Sequence, residues 1–125
     1  MNLTFNRMCE LKPLIAAVYE LEAAIKNKTD LTINEALAVC SLSEGSLVQS
    51  SLGDELQLGA TRTSRLVSSL LAKDLITIMP DPGDRRKNIL TLTIPGEAAA
   101  ARLKSLEPSL FPMTILKEVD QWLST

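Results

Sequence analysis

The stretch ATRTSRLVSSLLAKDLITIMPDPGDRRKNILTL, residues 60–92, changes its hydrophobic period partway along. From Ala60 to Lys73, Thr63, Leu66, Val67 and Leu70 recur three and four residues apart, which predicts an amphipathic helix. Ala60, Thr61, Arg62, Ser64, Arg65 and Ser68 fall on its other faces. Leu75 to Met79 then reads as a strand, with β-branched Ile76 and Ile78. Pro80-Asp81-Pro82-Gly83-Asp84 is dense in turn residues, Arg85-Arg86-Lys87 follows, and Ile89 to Thr93 reads as the returning strand, ended by Pro95-Gly96. The expectation is a helix followed directly by a β-hairpin with a basic tip.

Upstream, Thr32 and Glu35 have the spacing of a capping box, in which each side chain satisfies a free N–H at a helix start. That helix is expected to reach Leu42, with Ala36, Leu37 and Cys40 on its inner face. Ser43 to Ser46 reads as a turn around Gly45, and Leu47, Leu52, Leu56 and Leu58 mark a short helix with a tight exit. Two short helices joined by a tight turn are a helix-turn-helix, and the hairpin behind them makes it a winged helix. At the N-terminal end, Pro13 suits the first turn of a helix carrying Leu14, Val18, Leu21 and Ile25, widened by Ile15, Ala17 and Ala24. So broad an apolar face implies contacts on two sides. Glu97 to Leu106 reads as a further helix with Leu103 and Leu106 on one face. Pro108 and Pro112 interrupt before a last apolar stripe of Ile115, Leu116, Val119, Trp122 and Leu123. The fold class is mainly α with a small β-hairpin wing, in one domain spanning 1–125.

Composition narrows the function. The 125 residues contain no histidine, two cysteines and five scattered glycines. The usual general base, the histidine-activated nucleophiles, most zinc sites and a phosphate-cradling glycine loop all lack their residues, so neither an enzyme nor a cofactor is expected. Met1 to Arg7 has no charged start leading into an apolar run, and no apolar run approaches the roughly 20 residues that span a bilayer. A cytoplasmic protein without membrane contact is expected. Net charge is −2, but its distribution is uneven. Between residues 60 and 87 stand Arg62, Arg65, Lys73, Arg85, Arg86 and Lys87 against Asp74, Asp81 and Asp84, while the remainder of the chain is acidic. One basic segment on an acidic body suits a local nucleic-acid contact, although a solvated charged surface would look the same.

The sequence resembles the MarR family of winged helix-turn-helix transcriptional regulators. Leu52-Gly53-Asp54-Glu55-Leu56-Gln57-Leu58 is similar to the first helix and turn of that family's motif, and Ser64-Arg65-Leu66-Val67 to its recognition helix. Asp81-Pro82-Gly83-Asp84-Arg85-Arg86, followed by Leu92-Thr93 and Gly96, resembles its wing signature. The resemblance covers Leu31 to Gly96 and departs from the pattern at Ile78 and Met79, where basic residues are frequent, and at Gly59, where a Ser or Thr cap is usual.

The resemblance implies that Thr61, Arg62, Ser64, Arg65 and Ser68 enter the major groove of double-stranded DNA. It implies that Arg86, oriented by Asp84, enters the minor groove, and that Arg85 and Lys87 meet phosphate. It further implies a DNA-binding core over 31–96 and a homodimer built on 8–27 and 97–125. Such a dimer would act as a repressor on a pseudo-palindromic operator and be released by a small-molecule effector. The same apolar stripes could instead close a monomeric core. A winged helix acidic overall could also be a protein-interaction module that binds no DNA. Some family members sense oxidants through a cysteine near the first helix, but with Tyr19 the sole tyrosine to assist, an inert thiol is the expectation for Cys9; Cys40 is expected in the core.

Overall fold

The computed structural model describes the backbone of residues 5–110 and the side chains of residues 7–106. The stripe expected over Ile115 to Leu123 lies outside the described residues. Among the described residues five helices and three strands follow one another as α1 Phe5–Thr29, α2 Ile33–Ser43, β1 Leu47–Val48, α3 Gln49–Leu56, α4 Ala60–Ala72, β2 Ile76–Asp81, β3 Asp84–Leu92 and α5 Ile94–Leu110. The strands form one antiparallel sheet in the order β1-β3-β2. The fold is mainly α with a hairpin wing, as the change of period predicts.

Local chemistry sets the boundaries. Thr32 caps α2 through a complete capping box: its hydroxyl accepts the Glu35 N–H at 3.2 Å, and the Glu35 carboxylate accepts the Thr32 N–H at 2.8 Å. Helix α3 ends on Gln57 in the left-handed region, φ 56°, where the N–H groups of Gln57 and Leu58 satisfy the carbonyls of Asp54 and Gly53. Thr93 starts α5, because its hydroxyl accepts the Gly96 N–H at 3.0 Å and donates to the Asp74 carbonyl at 2.6 Å. Gly96 has no alternative there, since a methyl group at its Cα would overlap the Leu75 carbonyl oxygen. Pro95 and Gly96 therefore end the hairpin and at the same time open α5, earlier than the alanine run suggests.

One hydrophobic core holds the elements together. Leu52, Leu70, Ile76, Leu90 and Val39 are fully buried, contributed in turn by α3, α4, β2, β3 and α2. Full burial of a side chain of this size contributes about 1.5–3 kcal/mol. Ala99, Ala100 and Leu103 close the core from α5, and Ile25 does so from the end of α1.

Four expectations are corrected. Pro13 lies inside α1 rather than in its first turn, where it gives no N–H to the Cys9 carbonyl and its ring crowds that oxygen; its outward, exposed position spares the core. The inner face of α2 is Glu35, Ala36, Ala38, Val39 and Leu42, whereas Leu37 (45% exposed) and Cys40 face outward. Small residues are buried there because α2 packs against α1, α3, α4 and α5 together, and such close approach favours alanine. Strand β1, two residues long, was not expected at all. Finally, α5 continues through Pro108 rather than breaking before it.

Candidate nucleic-acid interface

Helix α4 rests on the core through Thr63, Leu66, Val67 and Leu70. Thr63, 3% exposed, donates its hydroxyl hydrogen bond back to the Gly59 carbonyl at 2.9 Å. Its Oγ1 lies so close to Gly53 that a Cβ on that residue would come within 2.6 Å of it. Gly53 thus lets the Thr63 side chain of α4 rest directly against the backbone of α3, which sets how closely the two helices of the motif approach. With that face inward, residues three and four apart line the opposite one. Thr61, Arg65 and Ser68 run along its centre, with Ser64 on one flank and Arg62 on the other, and all five are exposed. Among the described residues no acidic side chain pairs with Arg62 or Arg65.

The wing is built differently from the expected basic tip. The register pairs Pro80 with Asn88 and then Asp81 with Asp84, so Arg85, Arg86 and Lys87 have no partner opposite them. The three cations stand out from strand β3 at this bulge, and only Pro82 and Gly83 form the turn. Pro80 fits at the break because it has no N–H to give to a ladder. Asp81 accepts the Gly83 N–H at 2.9 Å and holds the turn. The Asp84 carboxylate accepts the Arg86 backbone N–H at 3.0 Å and the Arg86 Nε at 3.4 Å. Arg86 itself is 93% exposed, so this acid orients a cation that projects into solvent.

Between α3, α4 and the wing lies a groove of about 350 Å³, whose lining includes Gln49, Ser50, Ser64, Arg86, Lys87 and Asn88. It brings Ser64 of α4 together with two cations of the wing. Arg62 and Arg65 border a shallower depression on the far flank, beside Thr32, Asn34 and Ser69. Basic residues therefore stand at the centre of the outward face of α4, at Arg65, and on both of its flanks. Arg85 is exposed but does not line either depression.

Gln49, Ser50 and Asn88 were not anticipated from the sequence. Gln49 lies 3.5 Å from the Ser64 hydroxyl and opens α3, whose cap, Val48, offers no side-chain acceptor. The cap of α4, Gly59, offers none either. The first N–H groups of both helices are thus left for an outside acceptor, the arrangement that binds phosphate. The available signal was the polar run Gln49-Ser50-Ser51 behind an apolar pair, without a bounded helix start to give it meaning.

No group of His, Cys, Asp and Glu among the described residues could hold a metal ion. No described helix is long and apolar enough to cross a membrane.

No family model matches the chain, and no curated protein matches it. Solved structures do match. A mutant of MarR from E. coli, complexed with operator DNA, superposes with a TM-score of 0.73 at 19% identity, over 99% of this chain and 97% of that one. The PcaV transcriptional regulator of Streptomyces coelicolor, with its natural ligand, gives 0.73 at 23% identity over 88% and 78%. A probable transcriptional regulator from Pseudomonas aeruginosa gives 0.71 at 22% identity over 89% and 91%. The fold of this chain is that of these winged-helix regulators.

Proposed function

We propose that this chain, with the fold of MarR-type regulators, is a sequence-specific DNA-binding transcriptional regulator that works as a homodimer in the cytoplasm. The observation that carries the proposal is the set of cations around α4. Arg62 and Arg65 have no acidic partner among the described residues, and the bulge at Arg85, Arg86 and Lys87 stands beyond the other flank. An exposed helix face with free arginines and small hydroxylic residues fits the major groove, where arginine reads guanine. A cation on a hairpin fits the adjacent minor groove, whose negative potential draws it in. The open helix starts at Val48 and Gly59 receive the intervening phosphates. The operator-bound MarR structure supports the same mode here.

Dimerisation is supported by α1, where Met8 (58%), Ile15 (45%) and Tyr19 (66%) are exposed along one stripe. Two copies present two recognition helices to half-sites about one helical turn apart, which joins two weak contacts into one specific one. Ligand-bound PcaV supports control by a small molecule, and repression of a pseudo-palindromic operator is the outcome proposed for this chain.

Selection from a library of random DNA duplexes tests the proposal. A regulator enriches a two-fold symmetric motif. Recovery of the input distribution unchanged would contradict it. Met79, 64% exposed on the wing where a cation would serve DNA better, favours a second reading as a protein-docking module. Such a module would bind no duplex in a salt-dependent way.

A further inference from the structure

Glu35 is the one charged side chain buried among the described residues, at 2% exposure. A capping box functions equally well at a surface, so capping does not account for this burial. Lys73 does. Its Nζ lies 2.9 Å from Glu35 Oε1 and donates a second hydrogen bond to the Asp30 carbonyl. Lys73 is the cap residue that ends α4. Asp30, in the left-handed conformation at φ 59°, follows the end of α1, and its carboxylate meets Lys26 at 3.2 Å. The last turn of α1, the first turn of α2 and the last turn of α4 therefore converge on one ammonium group.

The surroundings of Glu35 favour its carboxylate form. Burial by itself would raise the Glu35 carboxyl, but the Thr32 N–H, the Lys73 ammonium and the Ser69 hydroxyl outweigh it and hold the group below its ordinary range. Lys73 is 31% exposed while the Glu35 carboxylate is enclosed, and desolvation of that carboxylate cancels much of the attraction, so the pair is a poor device for stability alone. At the opposite end of this joint, α1 carries the exposed stripe of Met8, Ile15 and Tyr19.

We propose that Lys73 and Glu35 are positioning residues that fix the angle of α4 against the α1–α2 junction, and with it the direction in which the DNA-reading face is presented. This rests on the assignment of α4 as the recognition helix. Neither residue touches DNA in this account, and that separates it from the plain alternative in which Lys73 binds a phosphate.

Glu35→Gln is the discriminating variant. The amide oxygen still accepts from Thr32, so the cap survives while the charge is lost. Affinity is measured for a selected operator duplex and for an unrelated duplex, each at two salt concentrations. The joint predicts that Glu35→Gln weakens operator binding about tenfold and leaves the unrelated duplex and the salt dependence unchanged. Lys73→Arg, which retains the pair, should preserve operator binding. A phosphate-binding Lys73 predicts the reverse: Glu35→Gln tightens both duplexes by removing negative charge, and Lys73→Met weakens both with a salt dependence lower by about one ion. That pattern would overturn the proposal. Residual dipolar couplings of the α4 amides, measured against those of α1 and α2, read the joint without DNA. The axis of α4 should turn in Glu35→Gln and stay in Lys73→Arg. An unmoved α4 in Glu35→Gln would overturn the joint. Failure of the wild type to bind any duplex would overturn the assignment of α4 while these couplings still judged the joint.

Discussion

Helix α4 and the wing both present cations to the same side of the molecule, and they are built on opposite plans. The backbone of α4 is held by four buried side chains, of which Leu70 is fully enclosed, while Arg62 and Arg65 are unrestrained by any described acid. Beyond Leu90 the wing has little core beneath it, yet its Arg86 is held by Asp84 through two hydrogen bonds. In one region the backbone is fixed and the side chains search. In the other the side chain is preset on a ribbon with little packed beneath it. Reading base edges needs a rigid frame that places donors in register, and adaptable arginines can then make the bidentate contact. Meeting a minor groove requires charge in a given direction, and a hairpin that bends can follow the groove's width.

The largest effect should fall on the frame. Leu70→Ala opens a cavity under α4 and should cost about 2–5 kcal/mol of stability. Met79→Ala, on the exposed wing, should be close to neutral, and chemical denaturation of the two variants compares the plans directly. Comparable losses would erase the contrast. Next comes Arg65→Ala, which should lose about 1–3 kcal/mol of binding and relax discrimination at a single base pair. Competition between operators altered one base pair at a time reads this. Arg86→Ala should weaken all sites alike and lower the salt dependence by about one ion.

Asp84→Ala is a smaller but sharper test. Removing a negative charge tightens DNA binding if the carboxylate only repels phosphate, and weakens it if the carboxylate aims Arg86. An exposed pair of this kind contributes at most about 1 kcal/mol to folding, so stability should barely change. Tighter binding by Asp84→Ala in titrations at two salt concentrations would remove the preset side chain from the comparison.

The smallest expected effect concerns acid. The Glu35 carboxyl is lowered in the folded protein from its ordinary 4.5, so it contributes stability in full above that value and loses it as pH falls through the folded one. Glu35→Gln should therefore flatten the stability profile below about pH 4.5 and leave the remainder of its shape alone. An unchanged acid limb would mean that Glu35 is not ionised against Lys73.

What could be read in the sequence follows the range of the interactions involved. The seat of α4 was legible because Thr63, Leu66, Val67 and Leu70 repeat within one helix, and the α2 cap because Thr32 and Glu35 lie three residues apart. The winged architecture was legible for the same reason, a change of period at Leu75. The faces of α2 were legible only at Ala36, because apolar character drew attention to Leu37 and Cys40 while the crowded side is also lined by the small Ala38. Strand β1 is too short to display a period, and its partners Ile89 and Leu90 lie some forty residues away. The bulge depends on cross-strand register, so Arg85 to Lys87 read as a loop tip and proved to stand on a strand. The Lys73–Glu35 pair spans 38 positions, and spacing alone gave Glu35 only its capping role. The groove residues Gln49, Ser50 and Asn88 required the fold itself to bring them beside Ser64.

The central claim, that α4 and the wing together grip one duplex, is tested most directly by an NMR titration of the labelled protein with a selected operator. Amides of Thr61, Ser64, Arg65 and Ser68 and of Arg85 to Lys87 should move together and saturate at one duplex per dimer. Those of Ala98 to Ala101 on α5 should stay in place. Saturating shifts confined to the region around Met79, with the outward face of α4 unmoved, would contradict the account.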